Sequence, residues 1–166
     1  DKIFLSFKVE ESPNENLYFQ LLNLDLSLNG ESIAIASPET SKQGFNMAYG
    51  NDGFIYYAYS ENYDISIKKI DSNGNLIWGP IAAVESDADD IIQSIHPLPN
   101  SGCMLIYESQ SWLTGDYVYG LIIDQNGNIF SDPILISQFS GDYYYENSTV
   151  VENGVFVSYK VNNGND

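Results

Sequence analysis

The chain has no arginine, one cysteine and one histidine, and each shortage closes a class of function. Without a guanidinium group there is no bidentate clamp for a substrate carboxylate or phosphate. The basic side chains are six lysines (Lys2, Lys8, Lys42, Lys68, Lys69 and Lys160) against 23 acidic residues, a net charge of −17. That balance repels phosphate backbones, so nucleic acid is excluded as a partner, and anionic membrane surfaces are disfavoured for the same reason. No apolar run is long enough to span a bilayer, so no membrane insertion is expected. The single His96 stands next to Pro97 and reads as a packed or edge residue. Ser–His–Asp and Cys–His catalysis therefore lack a base, and the chain reads as a non-enzyme. Cys103 lies in the apolar run Cys103-Met104-Leu105-Ile106-Tyr107. It has no partner for an internal disulfide and reads as a small buried hydrophobe.

What the chain does have is repetition. Ile70-Asp71-Ser72-Asn73-Gly74-Asn75-Leu76-Ile77-Trp78-Gly79-Pro80-Ile81 is a hairpin with its turn at Asn73-Gly74. Asn-Gly predicts a type I′ turn, in which both central residues take positive φ. Ile123-Asp124-Gln125-Asn126-Gly127-Asn128-Ile129-Phe130-Ser131-Asp132-Pro133-Ile134 repeats it, with Asp, Asn-Gly-Asn, Pro and Ile at the same offsets. A weaker third copy is expected at Leu26–Ile33, with its turn at Asn29-Gly30. Asp71, Asn73, Gly74, Asp124, Asn126 and Gly127 are read as turn-forming residues, the aspartates capping the turn through side-chain to backbone bonds.

Strands precede each hairpin. Phe54-Ile55-Tyr56-Tyr57-Ala58-Tyr59 follows a tight Asp52-Gly53 turn and is apolar on both faces, as a strand sandwiched between two neighbouring sheets must be. Turn glycines 44 and 53 residues apart (Gly30, Gly74, Gly127), with four strands per interval, give the period of a propeller blade. The expected fold is all-β: four-stranded antiparallel blades of a β-propeller, a little over three of them. The units are a partial blade of three strands over 1–37, complete blades over 43–83 and 91–137, and a partial blade of two strands over 147–161. Phe4-Leu5-Ser6-Phe7-Lys8-Val9 and Phe156-Val157-Ser158-Tyr159-Lys160-Val161 are nearly the same strand, so the chain begins and ends on the second strand of a blade. Three blades are too few to close a ring, and the chain has no initiator methionine or leader. It reads as a segment of a larger propeller, with the remainder of a longer chain as a partner.

The Asp52-Gly53 turn, the following apolar strand and Asp64-Ile65-Ser66-Ile67-Lys68-Lys69-Ile70-Asp71-Ser72-Asn73-Gly74-Asn75-Leu76-Ile77-Trp78 together resemble a known pattern. They are similar to the propeller-like repeats of large secreted proteins of Bacteroidota, the cargo of type IX secretion. The resemblance implies an extracellular or cell-surface location; the expected role is binding, adhesion or scaffolding. It implies no chemistry.

Candidate sites follow from residue type. Trp112, Tyr117 and Tyr119, with the run Tyr143, Tyr144 and Tyr145, offer large rigid faces for a sugar ring or a protein, or ordinary strand packing. Asp87, Asp89 and Asp90 form the densest acidic loop: a solvated connector, or a surface Ca2+ site, calcium being the one cofactor the sequence suggests. The competing functional reading is a fragment of a propeller glycosidase or lyase whose catalytic carboxylates lie partly outside this chain.

Overall fold

The computed structural model describes residues 2–11, 14–36, 42–99, 102–111, 115–137, 142–152 and 154–162. The described residues form thirteen strands and no helix. The first sheet has the order β1-β2-β3, from β1 (Ile3–Glu11), β2 (Asn14–Leu22) and β3 (Ile33–Ala34). The second is β4-β5-β6-β7, from β4 (Lys42–Tyr49), β5 (Ile55–Glu61), β6 (Asp64–Ile70) and β7 (Leu76–Val84). The third takes β8 (Asp89–Pro97), β9 (Cys103–Ser111), β10 (Gly115–Ile123) and β11 (Ile134–Leu135) in sequence order. The fourth pairs β12 (Asp142–Val151) with β13 (Gly154–Asn162). Every pairing is antiparallel.

The sheets pack face to face in chain order, with an apolar layer in each gap. Leu17, Phe19 and Leu21 of the first sheet meet Ile55, Tyr57 and Tyr59 of β5. The other face of β5, Tyr56 and Ala58, packs against Cys103, Leu105 and Tyr107 of β9. Ile106 and Val118 then meet Tyr145, Val157 and Tyr159 of the fourth sheet. The two-faced apolarity of β5 is thus explained by a neighbour on each side. Each fully buried Tyr or Ile in these layers stabilises the fold by roughly 1.5–3 kcal/mol.

Polar side chains pin the sheets to one another. Period-two alternation sends the adjacent lysines of β6 to opposite faces. Lys68 donates from its ammonium to the carbonyl of Ile35, next to the first sheet, and Lys69 donates to the carbonyl of Gln125 in the third. The first strands of successive sheets also meet: Asn46 of β4 donates to the Gln93 carbonyl of β8 (3.2 Å), and Ser94 of β8 bonds Ser148 of β12 (2.7 Å).

The turns correct two expectations. Asn73-Gly74 is not type I′. Gly74 N–H donates to the Asp71 carbonyl (3.0 Å) and Asp71 N–H to the Asn75 carbonyl (2.9 Å). Gly74 stands at φ +86°, while Asn73 is not among the residues at positive φ. This is a three-residue loop, a type I turn closed by a left-handed glycine. The cause is Asp71, whose carboxylate accepts from the amides of Asn73 and Asn75 and from the Asn75 side chain. Asp124 does the same for Asn126 and Asn128. These bonds hold both aspartates below the ordinary carboxylate pKa.

The first copy of the turn is also displaced. It lies at Asn23–Ser27, where Asn23 N–H donates to the Ser27 carbonyl and Leu26 N–H to the Asn23 carbonyl, and not at Asn29-Gly30. The bridges Leu22↔Leu28 and Ile123↔Ile129 and the pair Ile70↔Leu76 share one offset, which makes Leu26 the counterpart of Gly74 and Gly127. The interval from Leu26 to Gly74 is therefore 48 residues. Leu26 sits at φ +67° and is 66% exposed. Leu26→Gly is expected to raise stability by about 0.5–1 kcal/mol, read by chemical denaturation, because it removes left-handed strain without removing packing. In the third sheet the fourth strand is Ile134–Leu135, and the amides of Phe130 and Ile136 on either side of it also donate to β10, at the Ile122 and Val118 carbonyls.

Candidate functional site

At one end of the second and third sheets, the β5–β6 hairpin, the β7–β8 connector and the end of β9 surround an open cleft of about 470 Å3, lined by Asn62, Tyr63, Asp64, Asp89, Gln110 and Ser111 among others. A second hollow adjoins it through Asp89, Gln110 and Ser111, with Asp116 on its far side. The β5–β6 hairpin supplies one wall. Glu61 pairs with Asp64, leaving Asn62 and Tyr63 as a two-residue loop at φ +53° and +74°. This is a type I′ turn. Asn tolerates that conformation, but a bulky residue at φ +74° is an outlier. A tyrosine holds the place where glycine is the unstrained choice, and the residue is 59% exposed beside the cleft.

The connector from β7 to β8 supplies the floor. Asp90 is 0% exposed, and its N–H donates to the Tyr63 carbonyl (2.9 Å), tying the connector to the hairpin. Its Oδ2 accepts from the Ser86 hydroxyl at 2.7 Å, while Oδ1 has no hydrogen-bond partner among the described residues. Burial pushes the Asp90 carboxyl above its ordinary pKa; Ser109 and Ser86 counter this in part, and Asp64 and Asp89 add to it. Among the described residues, no group of three or more acidic, histidine or cysteine side chains is placed to hold a metal ion. Asp87 and Asp89 line the open cleft, whereas Asp90 is turned into the protein.

The tyrosines divide differently. Tyr119 stacks on Tyr107 (5.5 Å between ring centres) and lies against Tyr117 (6.3 Å), so both are engaged in packing within the sheet. Tyr145 is packed between the third and fourth sheets, with its hydroxyl bonded to Ser148. Trp112 lies outside the described residues, as do the side chains of Tyr143 and Tyr144 on β12. Tyr63 is the cleft residue that the sequence analysis does not single out. Its signal was Asn62 between two apolar runs, with Tyr in the position a type I′ turn reserves for glycine.

His96 and Ser148 stand 2.6 Å apart, the spacing of a nucleophile and its base. The surroundings are those of packing. The Ser148 hydroxyl also bonds Ser94 and Tyr145, and burial lowers the His96 pKa, which keeps the imidazole neutral at pH 7.

No protein-family model matches the chain, and no curated protein matches it. A solved structure described as a hypothetical protein from Leishmania major resembles it with a TM-score of 0.61 at 10% identity. The match covers 96% of this chain and 60% of that one, and at such low identity it shows a shared all-β fold alone.

Proposed function

We propose that the four sheets are blades of a β-propeller, a segment of a larger one, and that the chain is a non-catalytic binding module. The sheets lie face to face in chain order, and the first strands of the second, third and fourth sheets touch, as strands around a propeller axis do. The setting is a secreted or surface-exposed bacterial protein, exported as the repeats it resembles are exported, with a role in adhesion or scaffolding. The ligand site is the cleft between the second and third sheets, and its ligand is a neutral polyhydroxyl compound, a glycan. Carboxylates and amides from Asp64, Asp89, Asn62 and Gln110 accept from and donate to hydroxyls, and an exposed aromatic ring gives a sugar a face to stack on. A net charge of −17 works against anionic ligands.

The observation that carries this reading is Tyr63 at φ +74° on the cleft rim. Strain of that kind in a bulky residue is retained where the side chain is needed. Tyr63→Gly should raise stability by about 1 kcal/mol and lower glycan affinity about ten-fold or more. Thermal melts and titration calorimetry against neutral oligosaccharides read the two quantities. Unchanged affinity in the variant would remove Tyr63, and the cleft with it, from the binding site.

A further inference from the structure

We infer that β13 of one copy of this chain replaces β1 of a second copy, completing a four-stranded sheet shared between two molecules. β5 and β9, the second strands of the complete sheets, are paired on both sides. Among the described residues β1 is paired only with β2, and β13 only with β12. The two strands are nearly the same sequence, so what pairs with one suits the other. Taking β13 in place of β1 gives β12-β13-β2-β3, with both edges of β13 paired. The register of β1 on β2 sets the new pairs: Phe4↔Leu21, Ser6↔Phe19 and Lys8↔Leu17 become Phe156↔Leu21, Ser158↔Phe19 and Lys160↔Leu17.

The faces agree with the edges. In the first sheet Phe4 packs toward the second sheet, and Ser6 bonds the Tyr57 hydroxyl across the gap at 2.7 Å. The counterparts on β13 are Phe156, which is 64% exposed, and Ser158; both lie opposite the face that packs on the third sheet. The exchange carries Phe156 into the apolar layer and puts Ser158 within reach of Tyr57. Lys160 takes the place of Lys8, whose ammonium pairs with Glu15 of β2 at 3.2 Å. Two further surfaces are covered. Phe45 and Met47 of β4 face the first sheet but are only partly buried, because that sheet has no strand opposite them. β12 would be that strand. Ile134 and Leu135, each 47% exposed, would receive the Asn23–Ser27 turn as Ile33 receives Gly74 and Ile81 receives Gly127.

β13 gives β2 the pairs that β1 gave it and releases β1, so the gain that favours assembly is the apolar surface newly covered: Phe156, with Phe45, Met47, Ile134 and Leu135. Two copies joined at both ends hold six complete sheets, within the roughly four to eight that close a ring. The expected product is a dimer, twice the 18.5 kDa chain mass, by light scattering at micromolar concentration. Phe156→Asp should halve that mass, leaving a folded monomer, because the ring is exposed before assembly and buried after it. A Glu15→Cys/Asn162→Cys variant should form a disulfide between chains on oxidation, since Asn162 takes the place of Glu10 opposite Glu15. A monomeric native chain overturns the proposal. So does a dimer that survives Phe156→Asp, or a dimer in which the cysteine pair forms no cross-link.

Discussion

Lys69→Met is expected to lower the stability of the fold by about 3–5 kcal/mol in urea denaturation at pH 7, the cost of breaking a buried ion pair from one side. The Lys69 ammonium is almost wholly buried, 2.7 Å from Asp52 Oδ2, and donates to the Gln125 carbonyl at 3.1 Å. It lies over the rings of Phe54 (4.6 Å) and Tyr56 (5.1 Å). Methionine keeps the length of the stem and loses the charge. The Asp52 carboxylate is then left in the gap between two sheets with the Tyr56 hydroxyl (2.8 Å) and the Phe54 amide as its remaining donors. The double variant Asp52→Asn/Lys69→Met should recover most of the loss, because no unpaired charge remains. The pH dependence gives a second readout. Burial raises the Asp52 pKa, but Lys69, the Tyr56 hydroxyl and the Phe54 amide outweigh it and hold the carboxyl below its ordinary 3.8. A depressed carboxylate contributes stability that is complete above the unfolded value and is lost as pH falls through the folded one. Without Lys69 two of the influences that lower the Asp52 pKa are gone, and the folded value rises toward the unfolded one. The variant therefore has less stability to lose on acidification, and the gap to the native protein should narrow below about pH 4.

The sequence made the strand succession legible because its signals are local. Asp52-Gly53, Asn73-Gly74 and Asn126-Gly127 punctuate the chain, and the apolarity of Ile55–Tyr59 on both faces demands two neighbours whatever their identity. Turn geometry was harder to read. Asn-Gly serves both a type I′ turn and a type I turn with a left-handed glycine, and the choice lies with Asp71 and Asp124, whose carboxylates reach the amides two and four residues on. The first turn was misplaced for a similar reason. Asn29-Gly30 carries the stronger local signal, yet the Leu22↔Leu28 bridge puts the loop at Asn23–Ser27, with a leucine where glycine was expected. Tyr63 was missed because a tyrosine beside Ile65 and Ile67 reads as strand, and only its backbone angle shows that it heads a turn. The lysines were legible as charges but not as ties. Alternation along β6 puts Lys68 and Lys69 on opposite faces, but it takes the packed sheets to show that each face has a carbonyl within reach.

Gly127→Ala is expected to lower stability by about 2–4 kcal/mol, the sum of left-handed strain and overpacking. Asn126→Ala in the same turn should stay within about 0.5 kcal/mol. Gly127 stands at φ +89°, where any L side chain is strained. It also has no room: a Cβ there would lie 2.5 Å from Ile81 Cδ1 and 3.3 Å from the Trp78 ring. The end of Ile81 can move, but the indole cannot follow freely, because its N–H donates to the Gln125 carbonyl of the same turn at 2.9 Å. Gly74 repeats the arrangement against Ile33, where a Cβ would come within 2.3 Å of Cδ1. Each Asp-capped turn therefore leans on the last strand of the sheet before it, and glycine is required for space as well as for φ. The first sheet has no sheet before it, and there the counterpart is Leu26, exposed and with only its φ to bear. Urea denaturation of the two alanine variants checks the difference. If Gly127→Ala costs no more than Leu26→Gly gains, backbone conformation alone explains both positions. A larger cost assigns the excess to the contact between neighbouring sheets.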